Sequence, residues 1–126
     1  MVTQLAMFGF ILGCFYLLSA LTFLWLNNSK FDLVGFFFNK ANHKFYVGYE
    51  LSFLVLCMFA LLESMSWVFF ILLAIHFTGF YILAFNAEKF YSMRNEIDAL
   101  GQNSMINFSV IFYLLGGVFS LFTVLI

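Results

Sequence analysis

Long apolar runs separated by short polar stretches organise this chain. Residues 5–26 form the first run and 106–126 the last. A helix needs about 20 apolar residues to cross a hydrocarbon core of ~30 Å, and each of these runs is long enough. Residues 45–85 form a longer one, which as a single helix would measure roughly 60 Å, twice the core thickness. The polar cluster "ESMS", residues 63–66, divides it. The pattern therefore predicts a hairpin with legs at 45–62 and 67–85. None of the runs alternates polar and apolar at every second residue, as strands of a membrane barrel do. An all-α polytopic transmembrane bundle of about four spans follows, with residues 1–126 as one integral membrane domain.

The polar stretches carry the orientation. Lys30, Lys40 and Lys44 fall between the first and second spans, and Lys89 and Arg94 between the third and fourth. Every basic residue thus lies on one side, which the positive-inside rule places in the matrix or cytoplasm. Both termini are expected on the opposite side. In the first loop, "NNSKFDLVGFFFNKANHK", the "FDLVGFFF" centre is expected in the membrane interface or against a neighbouring subunit. The third loop, "NAEKFYSMRNEIDALGQNSM", is expected to form a short surface helix continuing the third span. The opening "MVTQLAMFGF" has neither a basic n-region nor an Arg-rich leader, so neither a secretory signal nor a transit peptide is expected.

Composition agrees with a lipid environment. Hydrophobic residues make up 65% of the chain and charged residues 9%, against about one-quarter charged in a soluble domain. A net charge of −1 and the lack of a basic patch give no reason to expect nucleic acid. Cys14 and Cys57 lack CxxC spacing and read as packing residues. The chain has 21 Phe and no Pro. Phe codons are T-rich and Pro codons C-rich, so this bias points to an AT-rich organellar genome. The mitochondrial inner membrane is the expected location, with a bacterial inner membrane as the alternative.

Three ionisable residues in or beside the apolar runs are the candidate site. Glu50 lies inside the second span, where a carboxylate costs roughly 2.5–3.5 kcal/mol and normally faces a partner or water. A proton relay is one reading; snorkelling toward Lys44 and the headgroups is the other. Glu63, at the predicted turn, is a weaker relay candidate and otherwise a solvated or capping residue. Glu63 follows Glu50 by thirteen positions, which places them about 140° apart around a helix and nearly 20 Å along it, too far to work as an acid/base pair. His76, near the middle of the third span, is a possible proton relay, an axial haem ligand or a hydrogen bonder to a neighbouring helix. Small-residue notches at Gly9–Gly13, Gly48–Ser52, Thr78–Gly79 and Gly116–Gly117 mark every span and fit a subunit packed among other helices. Neither a catalytic triad, a phosphate loop nor a metal-spaced ligand set is found in the sequence, so no autonomous catalytic site and no cofactor or metal in this chain is expected.

The segment "FYVGYELSFLVL" resembles the second span of the small 4L-type membrane subunit of respiratory complex I, which opens on Gly-x-Glu or a near variant. The resemblance covers about residues 4–85 and implies a role for Glu50 in a chain of buried charged groups that carries protons. It implies other membrane subunits of a large respiratory complex, and lipids, as partners. NADH, flavin, iron–sulfur clusters and quinone would be handled elsewhere in that complex. The chain departs from the family at His76, three residues before Gly79, where the family has glutamate four before. It also has a longer first loop and an additional C-terminal span. "FYLLGG" resembles an element of the sixth-type subunit, and "KFYVGYELSFLVLCMFALLE" one of the third-type. Three readings remain beside it: a structural accessory subunit of a respiratory complex or ATP synthase, a haem-holding anchor of succinate dehydrogenase through His76, and a small pore-former such as a holin.

Overall fold

The structure is a computed structural model that describes residues 6–125. Leu5 and Ile126, the outer bounds of the first and last expected spans, lie outside the described residues. All regular structure among the described residues is helical: α1 (Met7–Asn28), α2 (Leu33–Phe37), α3 (His43–Ser64), α4 (Trp67–Phe85), α5 (Ala87–Ser92), α6 (Arg94–Leu100) and α7 (Gln102–Leu125). A 3-10 turn at Lys40–Asn42 leads into α3. Four of these helices, α1, α3, α4 and α7, are long and apolar enough to cross a membrane.

The chain lacks proline, so its reversals depend on other devices. Lys30 (φ 64°), Met65 (φ 34°) and Gly101 (φ 94°) adopt positive φ between helices. At the hairpin, Met65 enters the left-handed region and its N–H donates to Leu61 O at 2.7 Å. Ser66 then caps α4, its Oγ accepting from the Val68 N–H at 3.2 Å. The break is thus shorter than "ESMS": Glu63 and Ser64 stay helical. Within a bilayer every unpaired backbone group is costly, so the helix continues as far as it can.

The long helices run alternately up and down. Gly9, early in α1, lies against Val124, late in α7, while the Phe8 N–H donates to Glu63 Oε1 at the end of α3. α1 packs most extensively on α7 and also contacts α3; α3 packs on α4, and α4 touches α7 only lightly. Glycines set this order. A Cβ on Gly13 would stand 2.7 Å from Leu121 Cγ, and one on Gly117 would stand 3.1 Å from Gly13 O. The two backbones meet where side chains would forbid it, the use expected of small residues in lipid. The notches on α1 and α7 are therefore spent inside the chain rather than on neighbouring subunits. Only open space lies beyond Gly48.

Trp25, near the end of α1, and Trp67, at the start of α4, are exposed at opposite ends of the bundle. Tryptophans favour the two membrane–water interfaces, so this pair brackets the apolar band. The five basic residues lie in segments at the end where α1 finishes. There the first loop folds back on its own bundle, with Leu33 and Val34 buried and Phe38 stacked on Phe90 at 4.7 Å. Asp32 caps α2 by accepting from the Gly35 N–H at 2.9 Å. The aromatic centre of this loop, expected in the membrane interface or against a neighbouring subunit, thus packs in part on its own bundle. In the third loop Asn86 (φ −139°, ψ 55°) separates α5 from α4, so the surface helices follow the span without continuing it.

Candidate functional site

Three helices each send one polar side chain to the middle of the bundle. Glu50 Oε2 of α3 lies 3.2 Å from His76 Nδ1 of α4, and His76 Nε2 lies 2.5 Å from the Tyr16 hydroxyl of α1. His76 is nine residues from either end of α4, about 14 Å along the helix axis. Glu50 is seven residues inside α3, about 10 Å from its basic end. Tyr16 and His76 are buried. The Glu50 side chain keeps 15% of its surface exposed, so one side of the carboxyl remains accessible.

Aromatic packing holds the imidazole. Phe53, one turn beyond Glu50 on the same face of α3, stacks on His76 with centroids 4.7 Å apart and planes at 3°. Phe53 in turn stacks on Tyr113 of α7 at 5.5 Å. Nearby, the Tyr49 hydroxyl donates to Ser19 Oγ at 2.7 Å, joining α3 to α1 a second time. With its ring clamped, His76 presents both nitrogens to fixed partners.

This geometry serves two protonation states. In a neutral imidazole, Nδ1–H donates to the Glu50 carboxylate while Nε2 accepts from the Tyr16 O–H. In an imidazolium both N–H groups donate, to Glu50 and to the Tyr16 oxygen. The set can therefore gain or lose one proton at the imidazole while the heavy atoms stay in place. Among the described residues the ion pairs are Glu50–His76 and the surface pair Arg94–Asp98, at 3.7 Å. Glu50 is thus paired across the hairpin and not with Lys44.

Two clefts meet at Glu50. One, of about 140 Å³, lies toward the basic end between α3, α4 and α5, with Tyr46, Gly79, Ile82, Phe90 and Met93 in its wall. The other, of about 200 Å³, lies between α3, α4 and α7, where the packing of α4 on α7 is thin. Its wall includes His76, Ser109, Phe112 and Tyr113, and its rim the exposed Ile75 and Phe108.

Glu63 stands apart, at the opposite end of the bundle. Its Oε1 accepts the Phe8 N–H at 2.9 Å, and Ala6, the N-cap residue of α1, offers no side-chain bond. A carboxylate there satisfies an orphan donor and complements the helix dipole. The capping role expected at the turn is exercised across helices instead. Cys57 is buried in the core and Cys14 half-buried, and both are free thiols. No group of three or more His, Cys, Asp or Glu side chains is placed to hold a metal among the described residues.

His76 does not suit a haem iron in this arrangement. A ligating nitrogen would have to give up Glu50 or Tyr16, and one face of the ring is already stacked on Phe53. Tyr16 is the member of the set that sequence reasoning missed, because a tyrosine in an apolar run reads as packing. The Glu50–His76 pair had a usable signal. Counted outward from Met65, these residues lie fifteen and eleven positions away on antiparallel legs, a depth difference of about 6 Å that one glutamate side chain largely bridges.

Comparison of the chain with protein-family models, curated proteins and solved structures found no match.

Proposed function

We propose that this multi-pass membrane protein is a proton-relay subunit in which Glu50, His76 and Tyr16 pass a proton within the bilayer. The observation that carries the reading is His76 held between a carboxylate and a phenol in mid-membrane, with each ring nitrogen directed at one of them. Glu50 is the entry point, because the cleft beside it lies toward the basic end. Starting from protonated Glu50 and the Nε2–H tautomer, His76 takes the Glu50 proton at Nδ1 and gives its Nε2 proton to the Tyr16 oxygen. The hydroxyl proton of Tyr16 leaves in the same step for a water or carboxylate acceptor beyond the set, which makes Tyr16 the far station.

As for the assembly it serves, the similarity of "FYVGYELSFLVL" to the 4L-type subunit favours the membrane arm of a proton-pumping NADH:quinone oxidoreductase in the mitochondrial inner membrane. His76 would then stand in for the family's second intramembrane glutamate. The chain holds no cofactor in this reading, and its partners are the other membrane subunits and lipid.

The test is Glu50→Gln in the native membrane, with coupled proton pumping and NADH oxidation measured together after mild detergent extraction identifies the co-purifying proteins. Co-purification with an NADH-oxidising complex and a fall in coupled pumping of roughly a hundredfold are expected. Pumping at the wild-type rate would remove Glu50 from the path. Purification with a complex that does not oxidise NADH would reassign the assembly.

A further inference from the structure

The charge of the Glu50 site points to a ligand. The titratable groups that bear on Glu50 are His76 from α4, Tyr16 from α1, Tyr46, Tyr49 and Cys57 from α3, and Tyr113 from α7. Of these only His76 can become positive. With a neutral imidazole the cluster carries one uncompensated negative charge inside the bilayer, an expensive state. The charge is balanced either by a proton on the Glu50–His76 pair or by a cation beside it.

The surrounding walls decide which cation. A metal ion such as calcium takes six to eight oxygen ligands, and the site offers one carboxylate. The α4–α7 cleft instead has Tyr46, Phe108, Phe112 and Tyr113 in its wall together with Glu50, and Gly79 leaves space beside the carboxylate. A wall rich in aromatic side chains with one anion suits an organic ammonium group, whose charge is spread and weakly hydrated. The exposed Ile75 and Phe108 at the rim give onto the apolar flank of the bundle, a route for a ligand dissolved in lipid.

We propose that the cleft between α4 and α7 binds a small lipophilic ammonium cation against Glu50, in exchange for the proton held by the Glu50–His76 pair. It rests on the reading of that pair as proton-exchanging. The step balances: one cation enters, one proton leaves, and no covalent bond other than that to the proton changes.

The purified full chain in lipid nanodiscs, titrated calorimetrically with tetraethylammonium chloride in buffers of different ionisation enthalpy, tests it. Saturable binding with release of about one proton per cation is expected, and sodium chloride at equal ionic strength should give no saturable heat. Two variants bear on the site. Glu50→Gln removes the charge. Gly79→Leu fills the cleft, since a Cβ there meets only Glu50 Oε2, at 3.9 Å. Both should bind at least about tenfold more weakly. Absence of saturable binding by the wild type, binding without proton release, or wild-type affinity in either variant would overturn the proposal. The carboxyl infrared band of Glu50 and the imidazole nitrogen resonances of His76, followed with pH on the same sample, separate the two readings. If they respond to pH while tetraethylammonium does not bind, only the cation site is lost; if they do not, the relay goes as well.

Discussion

His76 has two partners in different helices, and losing either leaves a buried nitrogen unpaired. Removing one partner from a buried hydrogen bond costs about 1–3 kcal/mol, more than the bond's net worth. The membrane lowers this, because the separated helices also find polar partners, and measured interhelical bonds there average about 0.6 kcal/mol. Tyr16→Phe should therefore destabilise the bundle by about 1 kcal/mol, read from unfolding in mixed detergent micelles. The same variant should shift the Nε2 resonance of His76 and leave Nδ1, bonded to Glu50, nearly unmoved. Equal shifts at both nitrogens would mean that the imidazole is not held between these groups.

At the scale of elements, stability concentrates in one tight reversal and one close helix pair. Met65 is a non-glycine residue in the left-handed region, at a cost of roughly 1–2 kcal/mol. Met65→Gly should relieve part of that and raise the unfolding midpoint, with a gain of up to about 1 kcal/mol after the extra entropy of glycine. The α1–α7 pair tolerates no such enlargement. A side chain on Gly13 meets Leu121 and the backbone of Gly117, so Gly13→Leu should separate these helices at a cost of about 1–3 kcal/mol. Since Tyr16 sits one turn away on the same helix, that variant should also disturb the His76 resonances. The corresponding change at Gly48, where nothing lies within 4 Å, should do neither within this chain.

For the whole molecule, the distribution of charge makes the firmest prediction. Five basic residues lie at one end of the bundle, and the hairpin with Met65 lies at the other. In sealed vesicles, with Cys14 and Cys57 replaced by alanine, Lys40→Cys and Met65→Cys should be labelled by an impermeant thiol reagent from opposite faces. Lys40 should be reached from the matrix or cytoplasmic side. Labelling of both positions from one face would refute the arrangement of α3 as a span.

Hydropathy and charge add up along the chain, residue by residue, without reference to what lies beside it. For that reason the sequence alone determined four apolar helices, the hairpin near residue 65, and the end that carries every lysine and arginine. It also singled out Glu50 and His76, because an ionisable group in an apolar run stands out by local contrast. Tyr16 had no such contrast, and the inward use of the Gly9–Gly13 notch had no local signature. Those features depend on which helix lies next to which, a choice made between residues 26 and 60 positions apart, as in Glu50–His76 and Tyr16–His76. Helices in lipid have no hydrophobic drive to select partners, so close backbone packing and a few polar contacts make the choice. Only the tertiary structure holds that information: it seats α1 against both α3 and α7, and so turns an isolated glutamate and histidine into a connected set.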